Sequence, residues 1–230
     1  MQDPILIPTT PILTYAAVKN DPTVNTYISK ADESLLALGY TEHSFAHVSR
    51  TAETAHYILT TLGYPEREAE LAKIAAYLHD IGNLLNRVDH AQSGALMAFP
   101  ILTALGATAE ETATIVTAIG NHDEGTAQAV NAVAAALILG DKTDVRRSRV
   151  RNKDRTGFDI HDRVNYSVKK SVVRVNEERT LIKLKLTIDT RHGSIMDYFE
   201  IFLGRMLLCR KAAEKLGLQF KLIINEQQLV

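Results

Sequence analysis

Apolar residues recur at helical spacing over a long part of the chain, from about Val24 to about Val145. Turn signals such as Leu62-Gly63-Tyr64-Pro65 interrupt the pattern and divide it into five or six segments. The segment from Glu66 to Leu78 is typical, because it is dense in apolar residues and has Pro and Glu at its start, where a helix tolerates them. The sequence therefore predicts a bundle of helices packed on one another.

The pattern changes after Lys142. Residues 171–175 and 181–188 alternate with period two, which predicts two strands joined by a hairpin turn at 176–179. A helix from about Ser194 to Leu216 follows, and 220–224 has the composition of a third strand. We expect a mainly α protein, in which a helical bundle precedes a small C-terminal α+β unit of two or three strands and one long helix. The predicted divisions are an N-terminal extension (1–23), the helical domain (24–160) and the α+β unit (161–230).

Composition narrows the classes of function. A formal net charge of -1 argues against a protein whose task is to coat nucleic acid. The single cysteine, Cys209, excludes an internal disulfide, and its apolar neighbours predict a buried thiol in a reducing compartment. The first residues lack the features of a signal peptide, and no run approaches about 18 uninterrupted apolar residues. We therefore expect a cytoplasmic protein without a membrane segment and without a nucleic-acid partner.

Six residues are candidate metal ligands because imidazole and carboxylate together suit Fe, Mn, Co, Ni or Zn. They are His47, His79, Asp80, His90, His122 and Asp141. The adjacent pair His79-Asp80 anchors the set. Neighbouring side chains on a regular helix diverge by about 100°, so such a pair chelates most easily where a helix ends. Ile81-Gly82-Asn83 supplies that ending.

Three segments carry a family resemblance: His47-Val48-Ser49-Arg50-Thr51-Ala52, Leu78-His79-Asp80-Ile81-Gly82-Asn83 and Leu139-Gly140-Asp141-Lys142. Together they resemble the H…HD…D signature of the HD superfamily of metal-dependent phosphohydrolases, over roughly Leu35 to Thr143. The resemblance implies that His47, His79, Asp80 and Asp141 bind a first ion, with Asp80 bridging to a second. His90 and His122 fall where binuclear members place their extra histidines. We therefore expect two divalent transition-metal ions.

The resemblance also separates branches of the superfamily. The cyclic-di-nucleotide phosphodiesterases have two adjacent histidines where this chain has Asn121-His122, and their Gly-Tyr-Pro signature is missing after Glu124, so we do not expect that activity. Residues 120–125, 149–153 and 196–200 are similar to an uncharacterised bacterial HD subfamily whose substrate the sequence does not name.

The implied reaction is hydrolysis of a phosphate ester by a metal-activated hydroxide. Asp80 and His43 are the predicted catalytic residues. His43 precedes His47 by four residues, one turn if both lie on a helix, and resembles the general acid of the cyclic-nucleotide phosphodiesterases. An imidazole with an ordinary pKa of ~6.5 suits that role. Two alternatives stay open for His43, a helix-start residue or a ligand of a third ion.

A basic segment supports an anionic substrate. Residues 145–155 contain six positive side chains against one acid, Asp154. A guanidinium group can bind two phosphate oxygens at once, and a lysine ammonium group adds positive charge. The predicted substrate-binding residues are therefore Lys142, Arg146, Arg147 and Arg149. A solvated loop is the alternative for the segment. The expected substrate is a nucleotide or another small phosphate ester.

Two other functions remain compatible with the sequence. Some members of the superfamily use the same six-ligand pattern as di-iron oxygenases, and a metal- or nucleotide-binding sensor module would need the same site. An apolar stripe in the last helix predicts either a core face or a homodimer face. The stripe contains Met196, Tyr198, Phe199, Phe202, Leu203, Met206 and Leu207.

Overall fold

The structure of the protein is a computed structural model that describes residues 12–152 and 158–228. Within those ranges the helices are α1 (Tyr15–Asn20), α2 (Pro22–Ala37), α3 (Phe45–Leu62), α4 (Glu66–Leu78), α5 (His90–Ala104), α6 (Ala109–Gly120), α7 (Ala132–Lys142), α8 (Ile160–Ser167) and α9 (Ile195–Lys215). The strands are β1 (Val168–Val175), β2 (Leu181–Ile188), β3 (Gln219–Ile224) and β4 (Gln227–Gln228). This order confirms the predicted class, a helical bundle followed by a small α+β unit.

The helices begin where the sequence supplies capping groups. The Ser44 hydroxyl accepts a hydrogen bond from the Ala46 amide at the start of α3, and the Asn131 side chain accepts one from Ala134 at the start of α7. At its C-terminus α3 ends on Gly63, whose φ of 85° is a left-handed conformation that glycine adopts without strain. These ends orient the two helices that carry His47 and Asp141.

Helices α3, α4 and α7 form the centre of the bundle. Every residue of α7 from Val133 to Gly140 is buried, which explains why its sequence is apolar on all sides. The close approach of α3 and α7 depends on Gly140, since a Cβ there would lie 2.7 Å from the backbone oxygen of Thr51. Gly82 has a similar role, because a Cβ at that position would collide with the carbonyl oxygen of His90.

The C-terminal unit is a four-stranded sheet, in the order β1-β2-β3-β4, packed on α9. Strands β1 and β2 form an antiparallel hairpin, β3 joins β2 in parallel, and β4 pairs antiparallel with β3. The predicted third strand is β3, whereas β4 and α8 were not predicted. Helix α9 also packs on α7, so the unit is in direct contact with the bundle. The three-part division of the chain stays a prediction, and residues 1–11 of its extension lie outside the described ranges.

Two predictions concern the last helix. Cys209 is fully buried, as predicted, and its burial raises the pKa of the thiol to about 12. The apolar stripe divides, because Tyr198, Phe202 and Met206 are buried, whereas Met196, Leu203 and Leu207 are exposed. The homodimer face stays a prediction. Among residues 12–152 and 158–228, no helix is both long and apolar enough to cross a bilayer.

Candidate metal centre

The centre is built around the end of α4. That helix ends at Leu78, and a 3₁₀ turn at Ile81–Leu84 follows, so His79 and Asp80 lie in the break between two helical segments. The break lets both side chains face one point, with His79 Nε2 3.2 Å from Asp80 Oδ2. The turn packs against α5 at Gly82, which brings His90 to the same point.

His47 from α3 and Asp141 from the last turn of α7 complete the first group. His47 Nε2 lies 3.3 Å from Asp141 Oδ1 and 3.6 Å from Asp80 Oδ2. His79 Nε2 lies 3.8 Å from Asp141 Oδ1. The four residues predicted to hold a first ion are thus within contact distance of one another.

A second group adjoins the first. The His122 ring, just beyond α6, lies 4.9 Å from the His79 ring, and the His90 ring lies 5.1 Å from the His122 ring. Two sets of three residues each have donor atoms that all lie within 4.8 Å of one another. The first triad is His47, His79 and Asp141, and the second is His79, Asp80 and His122. His90 belongs to neither triad. Its Nε2 lies 3.7 Å from Asp80 Oδ1 and 3.2 Å from Arg87 Nη1.

Asp80 is the carboxylate that contacts both groups. Its Oδ2 faces His47 and His79, while its Oδ1 faces His90 and accepts a hydrogen bond of 2.9 Å from Asn83 Nδ2. Divergent carboxylate oxygens of this kind suit a ligand that bridges two ions. The amide of Asn83, which the sequence did not single out, orients the bridge.

All four histidines present the same ring nitrogen to the centre. Nδ1 of His79, His90 and His122 lies 2.7, 3.0 and 2.6 Å from the carbonyl oxygens of Ala76, Arg87 and Ile119, respectively. A carbonyl oxygen only accepts, so each Nδ1 carries the proton and each Nε2 keeps its lone pair. Nδ1 of His47 lies 2.9 Å from a carboxylate oxygen of Asp144. Such outer contacts fix the tautomer that metal-binding histidines require.

The donor set fits a divalent metal. His47 Nε2, His79 Nε2 and Asp80 Oδ2 are buried and have no hydrogen-bond partner within residues 12–152 and 158–228. Buried polar atoms without partners are costly, and their convergence on one point indicates a ligand that satisfies them together. Imidazole nitrogens with carboxylate oxygens favour Fe, Mn, Co, Ni or Zn.

Electrostatics set the protonation states that metal binding requires. Burial raises the pKa of Asp80, but His79, His43 and His47 outweigh it and hold the pKa well below the usual range. At Asp141 burial also raises the pKa, but Lys142 and His47 outweigh it and hold the pKa well below the usual range. Burial and nearby cations lower the pKa of His122 well below its usual value. At neutral pH these carboxylates are charged and His122 is neutral.

His79 is the exception among these groups. Burial lowers its pKa, but the adjacent Asp80 carboxylate and Asp141 outweigh that effect and raise it. A bound cation would compete with the proton on His79 for the same Nε2 lone pair.

Asp144 is a functional candidate that the sequence did not reveal. It is fully buried, and besides His47 it contacts Arg50 Nε at 3.1 Å and Arg146 Nε at 2.9 Å. Burial raises its pKa, but His47 and the arginines outweigh it and hold the pKa well below the usual range. In the sequence, only its position three residues after Asp141 could have drawn attention to it. Asp144 is therefore a charged carboxylate that holds the His47 ring in position.

His43 lies beside the centre but not on α3. It precedes the capping residue Ser44, so the premise that it shares a helix with His47 is wrong, yet the two rings are 5.4 Å apart. Its Nδ1 lies 2.6 Å from the Thr41 carbonyl oxygen, which leaves Nε2 as the acceptor. Burial and Arg149 hold its pKa well below the usual value, so the ring is neutral at pH 7.

A cleft of about 480 Å³ opens onto the centre. Of the predicted substrate-binding residues, Lys142 and Arg149 line it, whereas Arg146 and Arg147 line a different groove. Lys153 and Arg155 of the basic segment lie outside the described residues. Residues that sequence reasoning missed also line the cleft: Tyr40, Arg87, Asp123, Glu124 and Arg205. Arg205 comes from α9, over 60 positions from the ligands in sequence, and no local pattern marks it.

Comparisons with known proteins agree with this geometry. The family model described as "HD domain" matches residues 44–162, a range that includes all six candidate ligands. An uncharacterized protein from Methanocaldococcus jannaschii is 24% identical, with 80% of this chain and 79% of the relative covered. The match spans the bundle from α3 to the start of α8.

Proposed function

This chain belongs to the HD domain family, and from that membership we propose that it is a metal-dependent phosphohydrolase acting on a nucleotide or another small phosphate ester. One observation carries the proposal. The unpartnered buried atoms of His47, His79 and Asp80 converge on one point, and Asp80 also lines a cleft whose wall includes Lys142, Arg149, Arg87 and Arg205. A cation site beside several positive side chains is suited to an anionic ester.

Two ions are proposed, each held by side chains that lie near one another in the structure. His47, His79, Asp80 and Asp141 would hold the first, and Asp80, His90 and His122 the second. When bound, such ions supply an activated water as the nucleophile and positive charge for the phosphoryl oxygens. His90 can coordinate only if Arg87 gives up its contact with Nε2, which would free that guanidinium for a phosphate oxygen.

The cleft's own side chains support binding of a planar, charged substrate. The Arg87 guanidinium lies 5.7 Å from the centre of the Tyr40 ring, and Tyr40 is 44% exposed at the mouth. An exposed aromatic ring beside a guanidinium is a stacking surface for a nucleobase. Arg149 donates to the carbonyl oxygens of Glu42 and Asp144, so its guanidinium is held in place at the cleft wall.

His43 is proposed to move the proton. Its Nε2 is the acceptor in the neutral ring, so His43 first takes up a proton from solvent water at that atom. A bound anion raises the pKa of a nearby imidazole, which stabilises the protonated form. The same Nε2 then donates to the leaving oxygen as a general acid.

Phosphate release from a broad panel of nucleotides and phosphate esters tests the proposal. The protein is stripped with a chelator and reloaded separately with Mn, Co, Ni or Fe, and metal content is measured in each sample. We expect hydrolysis of at least one nucleotide that depends on the metal. A filled metal site that released neither phosphate nor nucleoside from any member of the panel, which includes phosphomonoesters and phosphodiesters, would overturn the proposal.

The same samples test the oxygenase alternative, which the shared ligand pattern keeps open. Substrate-dependent oxygen uptake by the iron-loaded protein, without phosphate release, would favour a di-iron oxygenase. Nucleotide binding without turnover or oxygen uptake would favour a sensor module.

A further inference from the structure

A second charged concavity lies away from the metal centre. Its volume is about 530 Å³, and we call it the basic groove. Five cationic side chains line it, together with Ser148, Ser171 and Val172: Arg50, Arg146, Arg147, Lys169 and Lys170. Among the residues that the structure describes, the basic groove and the metal cleft have no lining residue in common.

The carboxylates around the basic groove do not neutralise it. Asp144 contacts Arg50 and Arg146, Glu42 contacts Arg146, and Asp189 contacts Lys169 and Arg147. Across the described residues, these three carboxylates face five cations, which leaves a surplus of two positive charges. Asp144 is also shared with His47, and Asp189 with Arg191, so the groove's own surplus is larger in effect.

Two arginines of the basic groove are held rigidly. Arg146 donates from Nε to Asp144 and from Nη2 to Glu42, both at 2.9 Å. Arg147 donates to the Tyr166 carbonyl oxygen at 2.5 Å, and its guanidinium stacks 4.3 Å from the centre of the Tyr166 ring. Guanidinium groups fixed in this way lose little conformational entropy when an anion binds.

A local irregularity in β1 adds both lysines to the same surface. The pairing of β1 with β2 shifts between Val168 and Lys170, so two residues of β1 advance against one of β2. In a regular strand, adjacent side chains point to opposite faces, but here Lys169 and Lys170 are both exposed. Bulges commonly re-aim side chains in this manner. The fold thus places two exposed cations beside the fixed guanidinium groups.

We propose that the basic groove binds a small anion that carries two or more phosphate groups. Five cations around a volume of about 530 Å³ exceed what a single phosphate can contact. A nucleic acid would need a basic surface that continues along the molecule, whereas the net charge of the whole chain is -1. The site is separate from the metal centre, so the inference does not depend on the proposed hydrolysis.

Calorimetric titration of the full-length, metal-free protein with inorganic tripolyphosphate tests the inference. We expect one tripolyphosphate per chain, bound more tightly than orthophosphate. The double substitution Lys169→Ala/Lys170→Ala should weaken binding by roughly tenfold or more, because it removes two of the five cations that line the basic groove. The variant Lys169→Arg/Lys170→Arg should retain binding.

A matched control removes the same charge elsewhere. Lys211 and Lys215 are exposed on α9 and do not line the basic groove, so Lys211→Ala/Lys215→Ala should leave the affinity unchanged. Equal losses in the two double variants would mean diffuse attraction and overturn the inference. So would loss of binding in Arg87→Ala alone, which would put the anion in the metal cleft. No measurable binding, or tighter binding of a 20-nucleotide single strand than of tripolyphosphate, would also overturn it.

Discussion

The metal centre and the C-terminal unit differ in whether their buried polar atoms have hydrogen-bond partners. In the centre, His47 Nε2, His79 Nε2 and Asp80 Oδ2 are buried without partners among the described residues. In the C-terminal unit, the buried side chains of Ser167 and Ser171 donate to carbonyl oxygens at 2.7 and 2.6 Å. The first region retains a desolvation cost that a bound cation would offset, whereas these two serines are satisfied by protein carbonyl oxygens, that of Val164 within the unit and that of Thr143 just after α7. We therefore expect substitutions at the centre to act mainly on metal binding, and substitutions in the core of the C-terminal unit to act mainly on stability.

Asp80→Asn should separate the two regions most sharply. The amide keeps the volume and the contact with Asn83 but removes the charge that both ion positions share. We expect phosphate release to fall by on the order of 10³-fold, with loss of bound metal. The metal-free protein should also lose stability at neutral pH, because the histidines that hold the Asp80 pKa well below its usual range favour the charged carboxylate in the folded state. Elemental analysis, phosphate release and urea unfolding measure the three quantities, and a variant with normal metal content would contradict the assignment.

Leu184→Ala should have the reverse profile. Leu184 is fully buried in β2, and deletion of a buried leucine side chain costs about 2–5 kcal/mol of stability. Metal affinity, measured at a temperature where the variant is folded, should match that of the wild type. The neighbouring Lys185→Ala is the control, because Lys185 is exposed in the same strand. A parallel fall in metal affinity would mean that the two regions are not separable.

Asp144→Asn should have an intermediate effect on the centre. Loss of an outer carboxylate partner of a metal-binding histidine typically weakens metal affinity by roughly 10–100-fold. The control is Asp189→Asn, which removes another buried carboxylate surrounded by cations, but remote from His47. Titration with Mn or Co measures both variants. Equal affinity in the two would show that Asp144 has only a structural role.

The pH dependence of stability should give the smallest difference. The pKa values of His43, His90 and His122 are lowered, chiefly by burial, so the unfolded chain takes up protons first as the pH falls below ~6.5. Their contribution to stability is present above that pH and is lost below it. His79 acts in the opposite direction, because its pKa is raised. The net expectation for the metal-free protein is a urea midpoint that decreases from pH 7 to pH 5.

His122→Gln isolates one of these groups. Its urea midpoint should depend less on pH over the same range than that of the wild type. The lowered pKa values of Asp80, Asp141 and Asp144 add a further loss of stability only below about pH 4, where unfolded carboxylates become protonated. A midpoint that rises between pH 7 and pH 5 would mean that His79 dominates.

Local sequence patterns were sufficient for most of the fold. Helix α4 has the predicted bounds, and β1, β2, β3 and α9 lie within three residues of their predicted positions. Helix α8 was missed because its eight residues are too few for a periodic apolar pattern. The two-residue strand β4 was missed because its pairing with β3, and not its own composition, makes it a strand.

The six metal-ligand candidates could be named from the sequence because each is a residue type that binds metals, and the adjacent pair marks the end of a helix. The residues that contact these ligands or line the cleft from distant parts of the chain could not be named in this way. Asp144 matters because α3 and α7 approach closely enough at Gly140 for its carboxylate to reach His47. Arg205 matters because α9 packs on α7 and puts its guanidinium 2.5 Å from Glu124.

By itself, the sequence determined the helical bundle, the small sheet unit and the order of the candidate ligands, since these depend on periodicity and residue type along the chain. Only the tertiary structure decided which ring nitrogen of each histidine faces the centre and that Asp80 faces both groups. It also placed Lys142 and Arg149 at the cleft, but Arg146 and Arg147 in the basic groove. Adjacent arginines diverge once the backbone turns, and the direction of each depends on contacts with residues distant in sequence.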